Sequence, residues 1–299
     1  MKPGHYFTAG LVLATVALAF SGRVSAQRAG GTTPRAGADM NAAAAAKPTP
    51  RTPDGHPDLS GVWGGGGGDD TPVAAAGQSV RILFPVRTDP NDKRIFDEMD
   101  RAAKERQAAE PNKPPYKPEL AAKVQELSDK RQFNDPSFFC KPLGVPRVGV
   151  PSQIVQTPNQ VLMLYMWEKR WRVIWTDGRQ LPTNPDPRWY GYSVGRWVDD
   201  YTFVVNSNGT DDRTWLDNTG NPHSDQLKVE ERYHRVSKDT MELTVVIDDP
   251  KAYTKTWLGR DRLQMKLLPA DTDFMEMIPS ASESAAVRSV YALESAPKK

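Results

Sequence analysis

From Ser152 onward the sequence falls into short runs in which apolar and polar residues alternate, each closed by turn residues. Alternation with period two puts every second side chain on one face of an extended strand. A chain that repeats the pattern this often can satisfy it by building a sheet with one buried face. The spacing predicts strands over 153–157, 161–168, 171–176, 191–198, 202–207, 227–236, 241–248 and 263–268. Pro158-Asn159, Lys169-Arg170, Asp177-Gly178, Asp199-Asp200 and Ser237-Lys238-Asp239 supply turns between them. Short strands with tight turns read as an antiparallel meander, hence a barrel, with a β-sandwich as the alternative. A further short strand at Gly61-Val62-Trp63 brings the count to about nine. Eight to ten strands suit a closed barrel with room for one small ligand, and closure removes exposed sheet edges.

The N-terminal end reads as a secretory leader. Lys2 precedes an apolar run over 7–20, and Val24-Ser25-Ala26 is a small-residue cleavage site, so the expected mature start is Gln27. The run is shorter than the roughly 20 residues a spanning helix needs. No cysteine near the cleavage site offers a lipid attachment point, and no later stretch is long and apolar enough to cross a bilayer. The expected location is periplasmic or secreted. The excess of 39 Lys+Arg over 37 Asp+Glu disappears when Lys2 and Arg23 leave with the leader. A balanced chain lacks the basic excess that nucleic-acid binding requires. Cys140 is the single cysteine, so no internal disulfide is possible and the fold must rest on its core. Cys140 itself, beside Phe139 and near Pro142, reads as a small buried hydrophobe.

Residues 27–50 are rich in Ala, Gly, Thr and Pro and form an expected disordered tether. The barrel domain spans 51–268. Within it, the glycine run 64–68 breaks the first strand. A two-helix insertion occupies 89–130: one helix over 89–110, with Ile95, Met99 and Ala102 on one face, and one over 119–130, with Leu120, Val124 and Leu127 on one face. Prolines 111, 114, 115 and 118 separate the two. The pair is expected to cover one face or one end of the barrel. Residues 269–299 form a loosely attached tail.

Two resemblances follow from short motifs. Gly61-Val62-Trp63 resembles the first strand of lipocalin-like barrels, in which the Trp plugs the barrel floor. This implies a calycin-like barrel. The ordered series PDLSGVW, CKPLGVPR, QIVQTPNQV, the DGR turn, GYSVGRW, PHSDQLKVEERYHR and DDPKAYTKTW, over roughly 51–258, resembles a widespread family of secreted proteins of soil bacteria. That resemblance implies a β-rich secreted domain and no activity. The chain departs from the family pattern at VDDYTFVV, in place of a Glu-Gly-Asp-Thr-type turn, and at RQLP, where a His usually precedes the Pro. The second departure removes one possible imidazole beside Leu181-Pro182.

The densest set of reactive groups lies at 223–234. In the strand over 227–236, Leu227, Val229, Glu231, Tyr233 and Arg235 share a face, and Leu227 and Val229 mark it as interior. Glu231 would then point inward beside Tyr233. A carboxylate in a partly apolar cavity has a raised pKa and suits general acid or base work. The structural alternative is a Glu231 ion pair with Arg179, Arg196 or Arg235. If the other face is inside, Glu230, Arg232 and His234 take over the role. His223 follows Pro222 in a polar loop, where it would shuttle protons at a barrel mouth or cap the next strand. Asp177 and Arg179 flank a hairpin-type Asp-Gly turn and would hold a polar ligand group from the rim. Trp175 and Trp197, among several tryptophans of the β region, suit a planar, partly apolar or sugar-like ligand, and Arg232 would add a charge. No metal and no cofactor is expected: His56, His223 and His234 lack ligand-type spacing, and the acidic stretch 211–217 reads first as a solvated loop. Three functions are in competition. The first is a small-molecule-binding barrel. The second is a cofactor-free lyase, isomerase or hydrolase that uses Glu231, His223 and Tyr233. The third is an envelope-associated structural protein.

Overall fold

The computed structural model describes residues 48–65, 113–129, 134–166 and 169–273, with residues 280, 282 and 285. The leader over 1–26, the tether up to residue 47, the glycine run beyond Gly65, the helix expected over 89–110, Trp167 and most of 269–299 lie outside the described residues.

The alternating runs form the expected strands. They are β1 (Gly61–Gly65), β2 (Gln153–Gln156), β3 (Gln160–Tyr165), β4 (Arg170–Trp175), β5 (Tyr192–Trp197), β6 (Thr202–Asn208), β7 (Lys228–Ser237), β8 (Thr240–Asp248) and β9 (Trp257–Leu267). They hydrogen-bond in sequence order, and β9 returns to β1 to close a calycin-like barrel. β7 shows how alternation places side chains. Val229, Glu231, Tyr233 and Arg235 face inward and are buried, while Lys228, Arg232 and His234 are exposed.

One connection differs from a simple meander. β4 and β5 are parallel and meet at a single bridge, Trp175 to Val194, whereas every other neighbouring pair is antiparallel. The Asp177-Gly178 turn forms, with Gly178 at φ +85°, but it does not join adjacent antiparallel strands. It opens a crossover over residues 176–191. A parallel return needs about a dozen residues or more, and this stretch has that length. The crossover is pinned to the end of β6: Asn208 donates to the Pro182 carbonyl at 2.8 Å, the Arg188 amide to Gly209, and the Asp211 amide to Arg188.

The core fills the barrel from the floor upward. At the floor Trp63 donates its indole N–H to the Leu59 carbonyl at 3.0 Å, and the Arg235 guanidinium lies 4.7 Å from its ring centroid. Gly61, two residues before it, has φ +141°, and a Cβ there would lie 2.5 Å from Leu267 Cδ1. The positive φ, with Leu267 close by, is what favours glycine at position 61. Above it pack Met163, Ile174, Phe203, Val205, Tyr233 and Leu243, all buried. Full burial of each such side chain contributes about 1.5–3 kcal/mol.

Of the expected helical pair, the described part is α1 (Ala121–Asp129), led in by a 3-10 turn at Pro118–Leu120. Its segment closes one end of the barrel. Tyr116 donates to the Pro222 carbonyl at 2.8 Å and packs on Tyr253, while backbone bonds tie Lys117 to Ala252 and Thr254 to Pro115.

On β5 the inward positions are Ser193, Gly195 and Trp197. A Cβ on Gly195 would run into the Phe203 ring and lie 2.9 Å from Ile174 Cγ2. Gly195→Ala is expected to lower stability by about 1–3 kcal/mol through overpacking, seen as a lower urea midpoint. In that background Phe203→Leu should cost less than it does in the native sequence, because the two changes share one space. Equal costs would show that the ring and the glycine are not in contact.

Candidate functional site

The barrel interior contains one dense polar cluster. Arg172 stands at an inward position of β4 between two apolar neighbours, and β7 presents Glu231 and Tyr233 from across the barrel. Arg172 Nη1 donates to Glu231 Oε1 at 3.1 Å and to the Tyr165 hydroxyl at 3.2 Å. Its Nη2 lies 2.7 Å from Glu231 Oε2 and 3.2 Å from both Ser193 Oγ and Ser207 Oγ. The two serine oxygens are 2.9 Å apart, and Tyr233 donates to Glu231 Oε1 at 3.0 Å. Arg172, Ser193, Ser207, Tyr165, Tyr233 and Glu231 are all buried. Burial opposes the Arg172 charge, but the carboxylate of Glu231 outweighs it and holds the guanidinium pKa well above its ordinary value. Burial pushes Tyr165 up to about 12, and burial with the Glu231 charge holds Tyr233 well above its ordinary value, so both phenols keep their protons.

Glu231 stands in a buried ion pair. Both its oxygens are taken by Arg172, and one also by Tyr233. It is an ion pair, as one reading has it, but its partner is Arg172. The three arginines considered from the sequence lie elsewhere. Arg179 is in the crossover, Arg196 is exposed on the outer face of β5, and Arg235 serves the floor.

Outside the wall, a groove of about 510 Å³ runs along the β4–β5 seam beneath the start of the crossover. Trp171, Val173 and Trp175 of β4 and Tyr192 and Val194 of β5 form its floor, and Gln180, Leu181 and Pro182 form its roof. Because the two strands meet at one bridge, the groove also reaches Arg172 and Ser193 at their inward positions. The polar cluster and the groove therefore share two residues.

The remaining candidates divide. Trp175 and Arg179 line the groove, with the Arg179 guanidinium 3.7 Å over the Trp175 ring. Asp177 does not stand open as a ligand for a polar group. It accepts from Arg179 Nε at 2.9 Å and Nη2 at 2.6 Å, and these bonds hold its carboxyl below the usual range. Trp197 faces the barrel floor, stacked on His56 at 4.9 Å and tilted against Phe203. Arg232 lies on the outer face of β7, paired with Glu230 at 2.8 Å. His223 is separated from Glu231 and Tyr233. Its ring nitrogens meet the Ser224 carbonyl and the Thr214 hydroxyl, both at 2.8 Å. Burial lowers its pKa; Nδ1–H donates to the Ser224 carbonyl, and Nε2 faces the Thr214 hydroxyl, which itself donates to the Asp211 carbonyl at 2.9 Å. The acidic stretch is knitted internally: Asp211 pairs with Arg213, and Asp217 accepts from Thr219 and Asn221. Among the described residues, no three of His, Cys, Asp and Glu are grouped to hold a metal ion. Cys140 is half-buried, not buried, and ends the 3-10 turn Pro136–Phe139 at φ +53°.

The residues missed from the sequence are Arg172, Tyr165, Ser193 and Ser207 inside, and Arg188 and Tyr192 outside. Local alternation did not reveal Arg172: Trp171, Val173 and Trp175 make the other face of β4 the more apolar, yet Arg172 and Ile174 are the buried pair. Comparison with protein-family models, curated proteins and solved structures finds no match.

Removing one partner of a buried pair leaves an uncompensated charge, at a cost of about 3–5 kcal/mol. Arg172→Met and Glu231→Leu are each expected to destabilise by this order, and together by clearly less than the sum, as measured by chemical denaturation. Additive costs would show that the two groups do not interact. His223 gives a pH dependence of defined sign. Its folded pKa lies below the ordinary 6.5, so on acidification the unfolded chain takes up the proton first. Stability should fall as pH drops through 6.5 and level off once the folded ring is also protonated. His223→Gln should remove that part of the profile, and an unchanged profile would assign it to other groups.

Proposed function

We propose that this protein is an exported small-molecule-binding barrel whose ligand lies in the groove along the β4–β5 seam. One observation carries the reading. The groove is walled by the aromatic Trp171 and Tyr192 and the aliphatic Val173 and Val194, and its lining also includes Arg172 and Ser193. Its volume of about 510 Å³ falls in the range of ligand pockets, and a mostly apolar wall with a few placed polar groups is how such pockets select ligands. A partly apolar or sugar-like molecule fits this lining, since flat rings stack on aromatic faces.

The catalytic alternative has less support. A general acid or base must reach the proton it moves. Glu231 is buried and triply hydrogen-bonded, and His223 bonds to its own loop. The N-terminal order of Lys2, apolar run and Val24-Ser25-Ala26 supports export, and no helix among the described residues is long and apolar enough to cross a membrane. Protein recovered from the periplasm or the medium should begin at Gln27 on N-terminal sequencing. Retention of the leader would place it otherwise.

Native mass spectrometry tests the binding reading directly. The mature protein is incubated with a small-molecule extract of the source cells. Compounds retained by the native sequence should be lost in Val194→Trp, which fills the groove from an outward position, and no new product masses should form. Retention by Val194→Trp would move the site away from the seam. Products formed by the native protein but not by Tyr233→Phe, which keeps the Arg172–Glu231 pair, would establish the enzyme instead.

A further inference from the structure

We infer that the ligand of the seam groove is a small monoanion, a carboxylate on a planar apolar body, and that Arg188 reads its charge. The inference rests on the binding reading above and narrows it to a ligand class.

The lining contains Arg172, Arg179 and Arg188, and no Asp or Glu occurs among its described residues. Two of the three arginine charges are balanced nearby. Glu231 takes Arg172 from the interior at 2.7 Å, and Asp177 takes Arg179 from the turn at 2.6 Å. Arg188 has no acidic partner among the described residues. Its guanidinium lies 4.0 Å over the face of Tyr192, which holds it flat against the groove wall. Its backbone is fixed as well, since its amide donates to Gly209 and its carbonyl accepts from Gly191 and Asp211. The groove therefore carries one uncompensated positive charge on an anchored residue.

A second observation points the same way from the interior. Arg172 Nε–H is buried and has no hydrogen-bond partner, although both Nη groups are fully engaged. Nε lies on the same edge of the guanidinium as Nη2, the nitrogen that meets Ser193, and both residues line the groove. A buried N–H of a charged group without an acceptor is costly. An anionic or carbonyl oxygen entering by the seam is the acceptor it lacks. A cation finds no counter-charge in this lining, and a wholly apolar molecule leaves the donor unanswered. The body of the ligand would lie against Trp171, whose ring is exposed at the groove.

The test uses a matched pair of probes, 2-naphthoate and its uncharged isostere 2-naphthamide, titrated calorimetrically into the mature protein. The carboxylate should bind about tenfold tighter or more, because it pairs its charge with the Arg188 guanidinium where the amide offers only a neutral acceptor. The advantage should shrink at ~1 M salt, where the screening length is ~3 Å. Arg188→Gln should reduce it to parity while keeping 2-naphthamide binding, and Arg188→Lys should retain a part. Arg188 is exposed and its anchoring bonds are made by its backbone, so these variants are expected to fold. Equal affinity of the two probes overturns the anion inference and leaves the binding groove standing. A preference that persists in Arg188→Gln overturns the role of Arg188. Failure of both probes to bind overturns the groove itself along with its ligand class.

Discussion

Arg172 and Glu231 form the contact on which the interior of this barrel depends. Neither charge is tolerable alone in the core, and their mutual attraction barely repays the loss of water unless every remaining donor and acceptor is satisfied. Here one guanidinium, held from β4, meets groups from four other strands: Tyr165 of β3, Ser193 of β5, Ser207 of β6 and Glu231 of β7. A slip of one residue in any of these strands would turn its member of the cluster to the outside. The pair therefore specifies register more than it adds stability. Tyr233 extends the same logic, because its hydroxyl is buried and Glu231 is its acceptor.

The cluster also explains how the barrel closes where its backbone pairing is weakest. β4 and β5 share a single bridge, yet Arg172 spans from one to the other and bonds Ser193. Side chains join the two strands on the inside where main-chain bonds are few. On the outside the crossover 176–191 covers the splayed edges, which would otherwise present unpaired backbone groups. The groove follows from this arrangement. It lies between the start of the crossover and two strands that share a single bridge.

How much of this was legible in the sequence differs from element to element. Strand number and closure were readable, because alternation with turn residues is a local signal. The inward face of β7 was readable too, since Val229 marks it for Glu231 and Tyr233. The partner of Glu231 was not legible, because Trp171, Val173 and Trp175 make the outer face of β4 its more apolar one, so the parity argument that works on β7 points the wrong way for Arg172 and Ile174. Arg179, Arg196 and Arg235 stand near turns or on the same strand as Glu231, and sequence position is a poor guide to what meets across a barrel. The parallel step was hidden by Asp177-Gly178, whose chemistry favours a hairpin. The stretch from 176 to 191 was the contrary signal, being far longer than a hairpin loop and long enough for a crossover. His223 and Glu231 appeared close because eight positions separate them along the chain. The loop before β7 binds the imidazole into its own hydrogen bonds, and the chemistry that proximity suggested is not assembled.

Alternation also divides the seam between its structural and recognition roles. Positions 171, 173, 175, 192 and 194 face the groove, whereas 174 and 195 face the core. Changes at the first set reach a ligand without reaching the ion pair. Arg172 and Ser193 are different, because they serve the core and line the groove. On the proposed reading, a ligand oxygen that meets Arg172 Nε–H completes the hydrogen bonding of the group that ties five strands together. Such a ligand binds the folded chain alone and raises its stability in proportion to the logarithm of its occupancy ratio. Recognition at this groove is then coupled to the closure of the barrel wall, since Arg172, whose Nε–H would meet the ligand oxygen while Arg188 reads its charge, also bonds β4 to β5.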